Sequence, residues 1–246
     1  MRFRTSRFAA ALLFALTIAG AANWWLHRDQ HTYLTGITED FVALFPAPTP
    51  ADSAATRREL DELLDLQMTR TAAAVAAARA DRKTNVQRFY GALGFAAGAD
   101  PDLPLLLALS RRVENDFRPY VRAAKDRFRR LRPYEIEPRL EPCIDDVRGD
   151  LSYPSGHATY GYVMAYLLGE LVPERSTELL ARADEFARQR MVCGVHFRSD
   201  IEAGRTGAHW LAFAIDSDPG YRLDANAAMA ELRAALHLAP KAPRPL

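Results

Sequence analysis

Residues 153–171 read YPSGHATYGYVMAYLLGEL, and they give the clearest indication of the fold. A Pro-Ser-Gly turn leads into a long apolar run, which predicts a helix over about 158–171. Backbone N–H groups at a helix N-terminus bind anions, and Ser155, Gly156 and His157 stand at that N-terminus. The alternative is an ordinary N-cap by Ser155, with His157 incidental.

Helical patterns continue on both sides of this run, and period-2 alternation of useful length is absent, so we predict an all-α, single-domain bundle. Pro119 falls inside one expected helix and predicts a kink or a break there. Gly194 suits a helix end, and Ser199 to Glu202 have the spacing of a capping box that starts the next helix. The further expected helices begin at Ser53 and cover 71–80, 105–131, 176–192, 199–215 and 225–238.

The beginning of the chain has the pattern of a secretory signal peptide. Arginines near the N-terminus precede an uncharged apolar run, and Ala19-Gly20-Ala21 offers small residues for cleavage. The apolar run extends through Leu26, so an uncleaved membrane anchor is the alternative. The expected organisation is a signal peptide at 1–22 or an anchor to 26, an N-terminal arm or linker at 23–52, a helical domain at 53–240 and a flexible tail at 241–246.

Length and composition fit one exported domain. The chain has 246 residues, of which 49% are hydrophobic and 26% are charged, so it can bury a sizeable core. Lys plus Arg number 32 and Asp plus Glu number 31. This near-neutral balance argues against a nucleic-acid polymer as the main partner, because such proteins usually carry a basic surplus.

The chain contains two cysteines, Cys143 and Cys193. In an exported protein an even count suggests a disulfide, and this one would close a loop of about 50 residues worth about 4 kcal/mol in the loop-entropy model. Two free buried thiols are the alternative, which suits a cytosolic chain better.

A basic segment and two histidine-containing segments are rich in groups that bind oxyanions. Residues 125–133 read KDRFRRLRP, and Lys125 and Arg132 are separated by almost two helical turns, so we expect them on nearly the same face. The alternative is a solvated basic face, the usual place of a charge run.

Residues 190–200 read RMVCGVHFRSD, in which Asp200 follows His196 by four residues. An Asp at that spacing can accept the Nδ1–H of the histidine and leave Nε2 free as a nucleophile. A satisfied histidine at a helix junction is the alternative, with Asp200 serving the helix dipole. Taken together, the three segments supply what phosphoryl transfer needs: cations for the oxygens, an attacking histidine and a second histidine to protonate the leaving group.

The spacing Lys-(six)-Arg-Pro, Pro-Ser-Gly-His and Arg-(five)-His-(three)-Asp resembles the signature of the type-2 phosphatidic acid phosphatase superfamily. That superfamily includes bacterial class A non-specific acid phosphatases and vanadium haloperoxidases. The similarity is closer to the class A phosphatases, because of the export signal, the chain length and Tyr153 before the Pro-Ser-Gly-His block. Cys143 and Cys193 also occupy the places where that class carries a disulfide.

The resemblance implies a role for each signature residue. His196 is the nucleophile, Asp200 orients it, and His157 is the general acid and later the base. No metal or other cofactor is needed. The chain departs from the family at Gln189, where a serine usually precedes the arginine. The groups implied to bind the phosphate are Lys125, Arg132, Ser155, Gly156 and Arg190.

We therefore expect a periplasmic or secreted acid phosphatase that acts on small phosphomonoesters and is inhibited by inorganic phosphate or vanadate. An acidic optimum is expected because His157 must be protonated to act as an acid. A lipid phosphate phosphatase at a membrane surface and, less favoured, a vanadium-dependent haloperoxidase are the alternatives. A non-enzymatic phosphate binder is disfavoured by the presence of both histidines and Asp200. A single membrane anchor and a homo-oligomer are further candidate interactions.

Overall fold

A computed structural model of the protein describes residues 32–36, 38–144 and 149–245. These residues contain helices and no β-strand, which confirms the all-α class. Among them, no helix is both long and apolar enough to cross a bilayer. The predicted signal peptide at 1–22 and its possible extension to 26 lie outside the described residues.

The α-helices are numbered in chain order, and two short 3₁₀ turns precede α4 and α8. They are α1 Thr38–Ala43, α2 Ala54–Thr69, α3 Ala72–Ala80, α4 Tyr90–Leu93 after the turn Val86–Phe89, α5 Pro104–Phe128, α6 Pro133–Ile136, α7 Gly156–Leu171, α8 Ser176–Val192 after the turn Pro173–Arg175, α9 Arg198–Asp216 and α10 Pro219–Ala235.

The apolar helix α7 is buried along most of its length and packs chiefly against α8 and α9. The contact between α7 and α9 is close because Gly204 of α9 has no side chain. A Cβ atom at Gly204 would lie 2.8 Å from the Ala158 Cβ and 2.8 Å from the Ser155 carbonyl oxygen. Any side chain there would push α9 away from the N-terminus of α7. This close approach brings the beginnings of α7 and α9 together.

Helix α5 differs from the prediction at two places. It runs through Pro119 without a break, because Pro119 lies on the exposed face while Phe117 and Tyr120 are anchored in the core. It ends at Phe128 rather than at residue 131, and Arg129 takes a left-handed conformation with φ of 48°. The basic segment therefore leaves the helix before Arg132.

Helix α9 begins one residue before the predicted capping box, and a different side chain caps it. The Asp200 carboxylate accepts the Phe197 N–H at 2.9 Å. The Ser199 N–H donates to Glu59 of α2 at 2.7 Å, so Ser199 is not the N-cap. Consequently Asp200 has a structural role at the helix start as well as its predicted role beside His196.

The segment 23–52 is not merely an arm or linker where the structure describes it. Tyr33, Leu34, Phe41 and Phe45 are buried in the main hydrophobic core. The Phe41 ring lies 5.7 Å from that of Trp210 in α9. These aromatic and aliphatic side chains bury too much apolar area to belong to a solvated linker, so the helical domain begins before residue 53.

The C-terminal residues 241–245 have no regular structure, yet their side chains are bound to the helices. Arg244 forms ion pairs with Glu170 at 2.6 Å and with Asp216. The Arg244 N–H donates to the Asn226 side chain at 2.8 Å. The described part of the predicted flexible tail is thus attached to α7, α9 and α10.

Cys143 and Cys193 form a disulfide with a Cα–Cα distance of 4.7 Å, which confirms the prediction. The backbone reinforces the link, since the Cys143 N–H donates to the Cys193 carbonyl at 3.1 Å. The disulfide ties the loop after α6 to the end of α8, next to the His196 segment.

Candidate active site

A cleft of about 720 Å³ opens between α5, the loop before α7 and the N-terminus of α7. Five residues of the predicted site line this cleft: Lys125, Arg132, Gly156, His157 and His196. The structure therefore brings together residues from all three signature segments. The remaining lining residues are Thr84, Glu114, Phe117, Arg118, Val121, Arg122, Asp126, Gly149, Asp150, Leu151 and Tyr160.

The turn between α8 and α9 holds His196 at the bottom of the cleft. Gly194 has φ of 67°, and its N–H donates to the Met191 carbonyl at 2.8 Å. The Val195 N–H reaches back to the Arg190 carbonyl at 3.1 Å. These two bonds form a Schellman motif, which confirms the prediction that Gly194 ends a helix. The chain then turns sharply into His196.

The hydrogen bonds of His196 define which ring nitrogen carries the proton. Nδ1 lies 3.1 Å from Asp200 Oδ2, and a carboxylate can only accept, so Nδ1 donates. Nε2 therefore has the lone pair and accepts from Arg132 Nη1 at 2.9 Å. Burial first, and then the charges of Arg132, Lys125 and Arg190, lower the pKa of His196 well below its usual value. The ring is thus kept neutral in this site.

Asp200 is fully buried and uses both carboxylate oxygens. Oδ1 accepts from Arg130 Nη1 at 2.7 Å, and Oδ2 accepts from the Ser152 hydroxyl at 2.5 Å as well as from His196. Burial raises the pKa of Asp200, while the Arg130 charge and these hydrogen bonds oppose that shift. Arg130 is therefore the cation that favours the ionised form of the carboxylate.

Arg130 is a site residue that the sequence analysis missed. Its Nη2 donates to Glu59 at 2.8 Å, and its guanidinium carbon lies 3.9 Å from the centre of the Phe197 ring. Arg130 and Arg132 are both buried, whereas Leu131 between them is 50% exposed. That alternation of buried and exposed side chains is typical of an extended chain, whereas the sequence predicts a helix through this segment.

The cations Lys125 and Arg132 converge on a carboxylate, not on one face of a helix as predicted. Lys125 Nζ donates to Asp150 Oδ2 at 3.1 Å, and Arg132 Nη2 donates to the same oxygen at 2.6 Å. Lys125 also donates to the Leu151 carbonyl, and Arg132 Nη1 donates to the Val195 carbonyl at 2.8 Å. Burial, followed by the Arg132 charge, lowers the pKa of Lys125 to about 8.

The side chain of Asp150 is 54% exposed. Partial burial raises the pKa of this carboxyl, but the charges of Lys125 and Arg132 prevail and the pKa is lowered overall. A carboxylate oxygen therefore already accepts hydrogen bonds from two of the three cations that the resemblance implies bind the phosphate.

His157 is the second residue of α7, and its ring stacks on Phe186 at a centroid distance of 5.9 Å. Its Nε2 lies 2.7 Å from the Arg82 carbonyl oxygen, which can only accept, so Nε2 carries a proton. In the neutral ring the lone pair is therefore on Nδ1. Burial, and next the Arg190 charge, lower the pKa of His157 to about 3.

Ser155 and Gly156 occupy different positions at the start of α7. The Ser155 side chain is fully buried, and its Oγ accepts the Ala158 N–H at 3.3 Å, so it caps the helix. Ser155 is not part of the cleft lining, whereas Gly156 is. The N-cap alternative is thus present in the structure, and the predicted phosphate contact of Ser155 remains a prediction.

Arg190 is only 1% exposed and lies behind the cleft surface, in the last turn of α8. Its charge contributes, after burial, to the lowered pKa of both His157 and His196. Gln189, the departure from the family pattern, is buried beside it, and its Oε1 has no hydrogen-bond partner within the described residues.

The helical fold and this arrangement of histidines and cations define a candidate oxyanion-binding site. Residues 105–218, a little under half of the chain, match the model of the PAP2 superfamily. This confirms the resemblance derived from the three segments.

Two relatives carry related names. The chain is 33% identical over 147 residues to an acid phosphatase of Zymomonas mobilis, over 57% of this chain and 55% of that protein. It is 41% identical over 86 residues to a non-specific acid phosphatase of Salmonella typhimurium, over 34% of each. The matched part thus spans from about a third to about half of these relatives, consistent with a similarity to class A acid phosphatases.

Among solved structures, a bacterial vanadium-dependent iodoperoxidase has a similar fold. The TM-score is 0.56 at 20% identity, over 72% of this chain and 53% of the iodoperoxidase. At this identity the likeness concerns the fold alone, and it agrees with the predicted bundle.

Proposed function

We propose that this protein is a metal-independent acid phosphatase that hydrolyses small phosphomonoesters through a phosphohistidine on His196. The observation that carries the proposal is the geometry of His196. Its Nδ1 is 3.1 Å from the Asp200 carboxylate, while Nε2 holds its lone pair beside Arg132 at the bottom of the cleft. The names of the two relatives support the same class of reaction.

In the first half of the reaction, the phosphate group displaces Asp150 from Lys125 and Arg132. Arg132 turns toward the phosphate oxygens and so releases the lone pair of His196 Nε2. That nitrogen attacks phosphorus, a P–N bond forms, and the P–O bond to the alcohol breaks. His157, protonated on both nitrogens at this stage, donates its Nδ1 proton to the leaving oxygen. The cations stabilise the charge on the transferring group.

In the second half, water enters where the alcohol has left. The neutral His157 removes a proton from this water as its oxygen attacks phosphorus. The P–N bond breaks, its electron pair returns to His196 Nε2, and inorganic phosphate is released. Asp200 keeps the Nδ1 proton of His196 in place throughout and stabilises the positive charge that the ring acquires.

The pKa values favour an acidic optimum. With a pKa of about 3 in the empty site, His157 is neutral at ordinary pH. A bound phosphate opposes the charges of Arg190 and its neighbours and raises this pKa. A substrate whose second phosphate pKa is about 6 can also bring the proton as a monoanion. Both routes weaken above about pH 6, so kcat/KM should fall there.

The proposal extends to location and inhibitors. The signal-like N-terminus and the Cys143–Cys193 disulfide support a periplasmic or secreted protein, because disulfides persist in oxidising compartments. Inorganic phosphate and vanadate present the same oxyanions to Lys125 and Arg132 as the substrate does. They should therefore inhibit competitively.

The test is hydrolysis of p-nitrophenyl phosphate by the full chain from pH 4 to pH 8, with and without EDTA. His196→Ala should lose activity by at least about a thousandfold. His209→Ala is the matched control, because His209 is an exposed histidine of α9 outside the cleft lining. Activity that disappears with EDTA, or that survives in His196→Ala, would contradict the proposal.

A second measurement tests the intermediate directly. The enzyme is mixed with labelled substrate and quenched in alkali, where phosphohistidine is stable, and the label is then released in acid. Label should attach to the wild type and to His209→Ala, and not to His196→Ala. Turnover without any acid-labile label on His196 would replace the covalent mechanism by direct attack of water.

A further inference from the structure

The wall of the cleft next to Lys125, one of the cations proposed to bind phosphate, is also basic. Arg118 and Arg122 of α5 line the cleft, and they stand one turn apart on the helix that also provides Lys125. The three positions are related as i, i+4 and i+7, so their side chains follow one face. From Lys125, this face extends by about 4.5 Å to Arg122 and about 10 Å to Arg118 along the helix axis.

Both arginines are available to a ligand. They are exposed, and within the described residues neither one makes an ion pair or a hydrogen bond with a carboxylate. Glu114, one turn before Arg118, accepts the Thr84 hydroxyl at 2.7 Å instead. The wall therefore offers two guanidinium groups next to the space that a leaving group must occupy.

The cleft lining also includes apolar side chains. Phe117, Val121 and Tyr160 contribute to the cleft lining beside Gly156 and His157. A carbon skeleton can rest on these side chains while polar groups at its two ends meet cations. The cleft volume of about 720 Å³ accommodates a ligand larger than a single phosphate group.

We propose that Arg118 and Arg122 form a second anion subsite that holds a phosphate group of the leaving alcohol. This inference rests on the proposed function of His196 and names its preferred substrate class: bisphosphorylated small molecules, such as sugar bisphosphates, with the two phosphates up to about 10 Å apart. One phosphate reacts at His196, and the other is bound by the guanidinium groups, whose planar forks suit phosphate oxygens.

The test compares glucose 1,6-bisphosphate with glucose 6-phosphate in the full chain, by the initial rate of phosphate release. The measured quantity is the ratio of the two kcat/KM values, which in the wild type should exceed the factor of two expected for a second reactive group. In Arg118→Gln/Arg122→Gln this ratio should fall about tenfold, equivalent to about 1.4 kcal/mol. Arg111→Gln/Arg127→Gln is the control, since it removes two exposed charges from the same helix outside the cleft lining.

The outcomes separate the possible failures. If the Arg118/Arg122 variant lowers both kcat/KM values by the same factor, the arginines only attract anions at long range and the subsite is refuted. An equal fall of the ratio in the Arg111/Arg127 control variant refutes the subsite as well. In each of these cases glucose 6-phosphate is still hydrolysed by the wild type and the proposed function survives. A wild type that hydrolyses p-nitrophenyl phosphate but neither glucose phosphate refutes the subsite alone, and one that hydrolyses none of the three compounds overturns both proposals.

Discussion

Asp150→Asn should improve the binding of phosphate, although it removes a residue that lines the active-site cleft. The Asp150 carboxylate accepts from Arg132 Nη2 at 2.6 Å and from Lys125 Nζ at 3.1 Å. A substrate phosphate needs the same two donors, so it must first displace this carboxylate. Asparagine keeps nearly the same shape and removes the charge that competes.

The size of the effect follows from the exposure of Asp150. Because its side chain is 54% exposed, solvent weakens both ion pairs, and each contributes about 0.2–1 kcal/mol. Removing both should strengthen phosphate binding by about 0.4–2 kcal/mol, or about two- to thirtyfold. The lowered pKa of Asp150 keeps it ionised at the assay pH, so the competition operates over the whole acidic range of activity.

The assay is the inhibition constant of inorganic phosphate at pH 5.5, with p-nitrophenyl phosphate as substrate. Asp126→Asn is the matched control, because Asp126 is an exposed carboxylate of the same cleft that forms no ion pair with Lys125 or Arg132. Phosphate should bind more tightly to Asp150→Asn than to Asp126→Asn. Equal effects would indicate a general change in charge. Weaker binding in Asp150→Asn would show that Asp150 holds the cations in position, and would refute the displacement argument.

Two further substitutions test residues that do not line the cleft but position the elements that do. In Arg130→Gln the pKa of Asp200 should rise, so the carboxylate becomes protonated at a higher pH and the acidic limb of the kcat/KM profile moves up, by about one pH unit. Exposed Arg129→Gln is the control, and a uniform loss at every pH would argue against this reason. Gly204→Ala should lower the free energy of unfolding by about 1–3 kcal/mol in urea, because its Cβ would overlap Ala158. Gly91→Ala, which meets no atom within 4 Å, should not destabilise the protein, and equal losses in both variants would contradict the packing argument.

The parts of the fold that could be predicted from the sequence are those with local signals. The observed helix Ser176–Val192 matches the predicted range, and Gly156–Leu171 begins only two residues earlier than expected. Pro173 separates these helices, and Gly194 takes the left-handed conformation that ends the second one. In each case the residue type by itself restricts the backbone, so a single sequence is sufficient.

The end of α5 could not be predicted in this way. The basic run from Lys125 onward has high helix propensity, and the sequence predicts a helix that continues to residue 131. The chain instead leaves the helix at Arg129, a non-glycine residue with φ of 48°. Tertiary contacts compensate for that conformation, because Arg130 and Arg132 then reach Asp200 and His196. These contacts connect residues more than sixty positions apart, which no local pattern reveals.

The candidate site also contains residues that the sequence predicts and residues that depend on tertiary contacts. Lys125, Arg132, His157 and His196 were predicted as one site and line one cleft. Asp150 was missed because an acidic loop residue is usually solvated, and its position depends on the path of the loop between α6 and α7.

The charges of the site explain why a carboxylate belongs there. In the empty site, burial and then the neighbouring cations lower the pKa of Lys125 to about 8 and that of His157 to about 3, so the cations repel one another. Asp150 relieves part of this repulsion at Lys125 and Arg132, but it does not protonate His157. A phosphate dianion brings more negative charge than Asp150. It must relieve the repulsion between the cations and also raise the pKa of His157. The general acid would therefore become protonated only when a phosphate is bound, which couples the readiness of His157 to the presence of substrate.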